Sequence, residues 1–220
     1  MMASLIRGLR VPAGTLLIVA GVMAPLVNGQ DLLRGPDLVQ ALRSGGHWIC
    51  FRHAATEWTQ SDRVEREGDW TSCDPAVIRQ LSQEGRTTAK EVGEAVRRLG
   101  IPVGEVWSSE YCRTVETARL LALGPVRTTR QLFNLIAADL LGGRDAVVER
   151  ARQFMREPVP DGTNRVLVAH GNLMQALTGV SLPEAGAVVM TYAPESGLRM
   201  IAVLEAGDWL ELARLHALTR

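Results

Sequence analysis

The stretch Ile49-Cys50-Phe51-Arg52-His53-Ala54-Ala55-Thr56 passes from a short apolar run to a basic pair and then to a hydroxyl residue. Apolar runs of this length that end in polar sequence are typical of buried strands. In open α/β sheets, ligands bind at the carboxyl ends of the strands. Arg52 and His53 therefore predict a site for chemistry on an anion, with a surface Arg-His pair after a strand as the alternative.

Strands and helices alternate along the rest of the chain. This alternation predicts an α/β fold, a three-layer sandwich in which a mainly parallel central sheet is flanked by helices. Strands are expected near residues 47–52, 103–107, 164–169, 187–192 and 198–204. Helices are expected after Gly35, over residues 82–99 and 114–122, after Gly143 and after His170. The long polar loop over residues 53–75 starts at the proposed site, which favours a pocket wall or lid.

The first 29 residues are predicted to be a secretory signal peptide. A basic start with Arg7 and Arg10 is followed by an apolar run and by the small residues Val27-Asn28-Gly29, the usual order of such peptides. An uncleaved membrane anchor is the alternative, although Pro12 and Pro25 disfavour a firm spanning helix. We therefore expect residues 30–220 to form a single domain, located in the periplasm or secreted, with no stable membrane span after cleavage.

Charge and cysteine content restrict the function further. The 24 basic and 24 acidic residues balance, so no strongly basic face for nucleic acid is indicated. No metal-ligand spacing of the C-x-x-C or H-E-x-x-H kind occurs, so no metal site is expected. Cys50 lies in the apolar strand and is expected to be a buried thiol. Cys73 and Cys112 could pair in an oxidising compartment, but the sequence does not fix this connectivity.

Three predicted strands lead to basic side chains. The first ends at Arg52 and His53, the second leads to Arg113, and the third delivers His170. Each residue alone has an ordinary explanation, as a solvated arginine or a structural histidine. Because the ends of parallel strands meet at one edge of a sheet, we expect the four side chains to converge there.

Four segments resemble, in order and spacing, motifs of the histidine phosphatase superfamily, which has the phosphoglycerate-mutase-like fold. They are Arg52-His53-Ala54-Ala55-Thr56 (family pattern R-H-G-x-T), Leu81-Ser82-Gln83-Glu84-Gly85-Arg86 (L-[ST]-x-x-G), Ser108-Ser109-Glu110-Tyr111-Cys112-Arg113-Thr114-Val115-Glu116-Thr117-Ala118 (S-x-x-x-R-[TA]-x-x-T-A) and Val168-Ala169-His170-Gly171 (V-x-H-G). With the predicted signal peptide, the resemblance points to the exported bacterial branch, which includes lipopolysaccharide-core heptose phosphatases.

The resemblance implies a phosphatase that hydrolyses a phosphomonoester through a phosphohistidine on His53. Arg52 and Arg113 would hold the phosphoryl oxygens and His170 would complete this clamp. The remaining residues expected to contact substrate are Thr56, Asn134 and Asn172. The expected partner is a small phosphorylated molecule or phosphosugar, and no cofactor or metal is needed because the cations supply the charge.

Two positions depart from the family pattern. Ala54 replaces the motif glycine, and Asn134 occupies the place where many members carry a glutamate acid. The leaving-group proton would then come from Glu57, Asp62 or Asp139, or the substrate would have a good leaving group. A phosphate-ligand binding module that lost its acid is the alternative function. Protein phosphohistidine dephosphorylation is a third hypothesis, which export disfavours.

Overall fold

The computed structural model describes residues 32–218, which belong to one compact unit. The predicted signal peptide, residues 1–29, lies outside the described residues. The helices are α1 (Gly35–Ser44), α2 (Gln83–Arg98), α3 (Cys112–Leu121), α4 (Arg144–Phe154), α5 (Gly171–Thr178) and α6 (Ala206–Leu218). The strands are β1 (Trp48–Arg52), β2 (Val103–Ser109), β3 (Val126–Thr129), β4 (Asn164–Ala169), β5 (Ala187–Ala193) and β6 (Gly197–Leu204). Short 3-10 helices cover Asp69–Thr71, Arg130–Leu132 and Leu135–Leu141.

The strands form one six-stranded sheet in the order β3-β2-β4-β1-β5-β6. The pairs β3/β2, β2/β4 and β4/β1 are parallel, whereas β5 runs antiparallel to both β1 and β6. The sheet is therefore mainly parallel, and it confirms the predicted α/β fold class. Its central strands β4 and β1 are the two that carry the predicted histidines at their carboxyl ends.

The sheet has a hydrophobic core on each face. In β1 the side chains of Ile49 and Phe51 enter one core, and those of Trp48 and Cys50 enter the other, as the two-residue period of a strand requires. Buried residues of α1, α2, α3 and α6 cover the first face, and those of α4 and α5 cover the second. Burial on both faces explains the continuous apolar run of this strand.

One strand, one α-helix and the three short 3-10 helices of the described residues were not predicted from the sequence. Strand β3 has the sequence Val-Arg-Thr-Thr at the edge of the sheet, so it lacks an apolar run and depends on its pairing with β2. Helix α6 buries Trp209 and Ala213, whereas other apolar residues on it are exposed. Because its apolar residues lie on more than one face, the sequence shows no clear helical period. Helix α3 begins at Cys112 rather than at the predicted Thr114.

The long loop over residues 53–75 is fixed at several points. Thr56 forms an isolated antiparallel bridge with Leu81, and Trp70 is buried in the core beneath α4 and α5. A disulfide joins Cys73 to Cys112 in the first turn of α3. Cys50 is a free buried thiol, as expected. The loop is therefore a tethered wall rather than a free segment.

Helices α2 and α3 approach closely at Gly93. A Cβ built on Gly93 would lie 2.0 Å from the carbonyl oxygen of Leu121, far inside van der Waals contact. Only glycine therefore permits this spacing of the two helices. By contrast, a Cβ on Gly207 in α6 would have no neighbour within 4 Å.

We expect Gly93→Ala to lower the free energy of unfolding by about 1–3 kcal/mol, because the added methyl group forces the helices apart. Gly207→Ala is the matched control and should lower it by less than about 0.5 kcal/mol. Urea denaturation followed by circular dichroism measures both. Equal effects of the two substitutions would contradict the close packing at Gly93.

Candidate active site

Arg52, His53, Arg113 and His170 line one cavity of about 230 Å³. Arg52 ends β1, His53 follows it, His170 follows β4, and Arg113 lies in the first turn of α3, which follows β2. The parallel strands thus bring together the four side chains that the sequence predicted. Thr56, Asn134 and Asn172 line the same cavity.

The backbone around His53 is held on both sides. Its N–H donates to Ala169 O at 3.0 Å and its carbonyl accepts from Ala185 N at 3.1 Å. Its Nδ1 lies 2.8 Å from Ala54 O, so Nδ1 carries the proton in this contact because a carbonyl can only accept. The other ring nitrogen, Nε2, then keeps its lone pair and is available as a nucleophile.

The electrostatic surroundings keep the His53 ring neutral. Burial, followed by the charge of Arg113, lowers the pKa of His53 to about 3, and Arg52 and Arg79 act in the same direction. The hydrogen bond to Ala54 opposes this shift but does not outweigh it. A neutral imidazole is the form that can attack phosphorus.

The side chain of Arg52 lines the cavity and passes close to the backbone of Gly171. A Cβ on Gly171 would lie 3.0 Å from Arg52 Cδ and 3.1 Å from its Nε, so a larger residue would displace the guanidinium. Arg52 Nη1 donates to Leu182 O at 2.7 Å, and Nη2 lies 3.6 Å from Glu184 Oε1. These contacts orient the guanidinium at the end of β1.

Arg113 is almost completely buried and forms a two-point ion pair with Asp62. Its Nη1 lies 2.7 Å from Asp62 Oδ1, and its Nη2 donates to Oδ2 at 3.1 Å. The guanidinium carbon also lies 4.7 Å from the centroid of the Tyr111 ring. The carboxylate of Asp62 therefore partners the guanidinium that was predicted to bind phosphate.

Arg79 is a site residue that the sequence analysis missed. It lines the cavity, donates to Asp62 Oδ2 at 2.8 Å and stacks 4.3 Å from the centroid of Trp58. It lies two residues before the Leu81-Ser82 motif segment, where no family pattern marks it. The only available signal was its place just after the long loop that was expected to cover the site.

The ring of His170 is positioned by residues at the end of β2 and just after it. Its Nε2 lies 3.0 Å from Ser109 Oγ, and its ring packs against Tyr111 with 4.6 Å between the centroids. The Ser109 hydroxyl can donate to Nε2, which leaves Nδ1–H as a donor. Burial, together with Arg113, lowers the pKa of His170 well below its usual value. Ser109 lay within a quoted motif but was not predicted as the partner of His170.

Four buried donor atoms of the cavity have no hydrogen-bond partner among the described residues. They are the Nε atoms of Arg52, Arg79 and Arg113 and the Nδ1 of His170. Buried polar groups without partners are unfavourable, and buried cationic donors more so. The four residues that carry these atoms all line one small cavity, and this concentration of cationic and imidazole donors fits an anionic ligand with several acceptor oxygens.

Asn134 and Asn172 both line the cavity and are hydrogen-bonded to each other. Asn172 Nδ2 donates to Asn134 Oδ1 at 2.7 Å, and the same oxygen accepts from Ile136 N at 3.0 Å. Thr56 Oγ1 is directed to Glu184 Oε1 at 3.4 Å. The three predicted substrate contacts thus lie at the cavity, although Asn134 and Thr56 also have structural partners.

The departures from the family pattern concern Ala54 and the general acid that Asn134 replaces. The methyl group of Ala54 packs in a small apolar cluster with Leu81 and Ala185, so it does not crowd the cavity. Of the three candidate acids, Asp62 lines the cavity that contains His53. Glu57 lines a different cavity, and Asp139 lines an adjoining groove.

A larger cavity, of about 800 Å³, lies beside the disulfide. Its Arg86 is paired with Glu116 at 2.7 Å, and the cavity contains no histidine. We therefore place the chemistry in the smaller cavity. Within residues 32–218, no group of three His, Cys, Asp or Glu side chains is arranged to hold a metal ion. None of the helices in that part of the chain is both long and apolar enough to cross a membrane.

The low pKa of His53 predicts a pH dependence of stability. Since the ring titrates near pH 3 in the folded chain and near pH 6.5 in unfolded peptides, the unfolded chain binds more protons between these values. Stability should therefore fall as the pH is lowered from about 6.5, by up to about 1.4 kcal/mol per pH unit for this group. In His53→Asn the decline measured by urea denaturation between pH 6 and 4 should be shallower. An unchanged slope would contradict the neutral buried ring.

Part of the chain is similar to a known protein family. Residues 48–139 match the family model described as histidine phosphatase superfamily (branch 1). No curated protein has a matching sequence.

Solved structures with the same fold include a mycobacterial glucosyl-3-phosphoglycerate phosphatase (21% identity, 71% of this chain and 97% of that chain, TM-score 0.51). They also include a mutant phosphoserine phosphatase from Entamoeba histolytica (13% identity, 74% and 98%, TM-score 0.51) and mycobacterial hydrolase 1 (20% identity, 73% and 100%, TM-score 0.50). At these identities the likeness concerns the fold. Together with the family match over residues 48–139, it makes the chain similar to proteins of the histidine phosphatase superfamily.

Proposed function

We propose that the protein is a phosphatase that hydrolyses a phosphomonoester through a phosphohistidine on His53. The observation that carries the proposal is a neutral imidazole, with its Nε2 lone pair available, in a cavity lined by three guanidinium groups. The phosphatases among the structural neighbours support the same reaction class.

Substrate binding brings the phosphoryl group to Arg52, Arg113 and His170. Hydrogen bonds to charged groups contribute roughly 1.5–3 kcal/mol each, and they strengthen as charge develops on the phosphoryl oxygens. His53 Nε2 then attacks phosphorus as the P–O bond to the alcohol breaks. The alcohol oxygen keeps the bonding electron pair and needs a proton. Water next hydrolyses the phosphohistidine, which releases phosphate and restores the imidazole.

Asp62 is the proposed source of that proton. It is the candidate acid that lines the cavity with His53, and its carboxylate contacts both Arg113 and Arg79. A phosphate bound at Arg113 competes with Asp62 for the same guanidinium. The neighbouring dianion also favours the protonated form of a carboxyl group. Once substrate displaces Asp62 from Arg113, the carboxylate would take up a proton from water and pass it to the leaving oxygen, which restores the carboxylate.

We also propose that the protein is exported and belongs to the exported branch of the superfamily, acting in the periplasm or outside the cell. The basic, apolar and small-residue order of residues 1–29 supports this proposal. The disulfide between Cys73 and Cys112 supports it as well, because such bonds persist in oxidising compartments.

We expect His53→Ala to lower kcat for an aryl phosphate by at least about 1000-fold, because the substitution removes the nucleophile. The wild-type rate should be insensitive to EDTA. His47→Ala, at the other end of β1, is the matched control and should retain activity within about twofold. Brief reaction with labelled substrate should give an acid-labile, base-stable phosphoryl adduct on His53.

An adduct on another residue would overturn the assigned nucleophile. Binding of vanadate by the wild-type protein without turnover of any monoester would instead support the alternative, a phosphate-ligand binding module.

We expect Asp62→Asn to lower kcat/KM for an alkyl phosphate by about 100-fold, because an alkoxide must be protonated as it leaves. For p-nitrophenyl phosphate, whose phenolate leaves without a proton, the loss should be less than about tenfold. Glu57→Gln, at an exposed carboxyl outside the cavity, is the control. Equal losses with both substrates would show that Asp62 is not the acid.

A further inference from the structure

Within the described residues, three large exposed apolar side chains lie in or beside the active-site cavity, and three more lie on α6. Trp58, Ile136 and Leu140 are 68%, 61% and 50% exposed. Trp58 and Ile136 line the cavity that contains His53. Neither side chain serves the phosphoryl chemistry, and clustered exposed apolar residues commonly mark a binding surface.

A groove of about 520 Å³ continues from the active-site cavity. Asp62 and Ile136 line both, so the two spaces meet at these residues. The groove lies between residues 61–64 of the long loop and residues 136–140 of the following 3-10 helix. The cavity of about 230 Å³ is small for a whole metabolite, whereas the groove has the volume usual for ligand sites.

The lining of the groove favours an apolar occupant. Val64, Ile136, Ala137 and Leu140 contribute its apolar surface. Its charged residues are Arg63, Asp139 and Asp62, and Asp62 is already paired with Arg79 and Arg113 outside the groove. The two charged side chains not paired outside the groove, Arg63 and Asp139, balance each other, so they do not select a second phosphate or an ammonium group.

We propose that this groove binds the leaving group of the substrate and that it takes phosphomonoesters of alkyl or aryl alcohols. The proposal rests on the proposed phosphatase function and adds the class of alcohol. Asp62 lies at the junction of the cavity and the groove. A phosphoryl group at Arg113 and an apolar alcohol in the groove would put the bridging ester oxygen at this junction, beside the proposed proton donor.

The test measures inhibition of p-nitrophenyl phosphate hydrolysis by n-alkyl phosphonates from ethyl to octyl. A fully buried methylene changes an equilibrium constant by about fourfold, so a partly open groove should lower the inhibition constant by about two- to threefold per methylene. Phenyl and naphthyl phosphonates form the second arm and distinguish aryl from alkyl alcohols. Isothermal titration calorimetry with the same phosphonates measures binding without reference to turnover.

In the double variant Ile136→Ala, Leu140→Ala the gain per methylene should fall to less than about 1.5-fold. Leu215→Ala is the matched control: Leu215 is 45% exposed and lies on α6, which covers the other face of the sheet. This control should keep the full dependence on chain length.

Equal inhibition by ethyl and octyl phosphonates, or an unchanged dependence in the double variant, would overturn the groove proposal while leaving the phosphatase function intact. Absence of turnover for every monoester would overturn the proposed function, and calorimetry would still decide whether the groove binds apolar groups.

Discussion

The repulsion among three buried or half-buried guanidinium groups is the constraint on which this site depends. Arg52, Arg79 and Arg113 line one small cavity with His53, and each lowers the pKa of that imidazole. Asp62 contacts two of these groups with its single negative charge, and Glu184 faces the third. A phosphate dianion can replace part of this compensation, because it offers the same guanidinium groups more acceptor oxygens in a matching geometry. The arrangement is therefore stable without substrate and selective for an anion.

The fold meets this constraint by bringing chain segments distant in sequence to one sheet edge. Parallel pairing of β1 with β4 aligns Arg52 with Ala169, which places His53 and His170 side by side with their ring centroids 5.6 Å apart. Glycine is needed where backbone must pass close to other groups. A Cβ on Gly85 would lie 2.2 Å from Ala55 O, so this glycine lets the start of α2 pack against the segment that follows His53.

The sequence predicted those parts of the site that follow buried strands. Arg52, His53 and His170 come directly after apolar runs, and Arg113 follows β2 within a recognisable motif, so strand topology alone brings them together. Arg79 could not be predicted, because its place depends on a tertiary ion pair with Asp62 that leaves no periodic pattern. The same holds for β3, which is a strand only because β2 pairs with it. Likewise, the sequence did not show which of the three candidate acids lies at the cavity, because this depends on the tertiary contacts of the loop.

The two attachments of the long loop also bear on how such a protein can diversify. The bridge of Thr56 to Leu81 and the disulfide from Cys73 to Cys112 fix the ends of the segment between residues 57 and 72. Insertions or replacements within that segment, apart from Asp62 and Trp70, can thus reshape this wall of the cavity without moving His53 or Arg113. Substitutions in one surface loop can therefore change which molecules fit the cavity while the residues at the strand ends stay in place. The condition is that a carboxylate remains at position 62, where it pairs with Arg79 and Arg113.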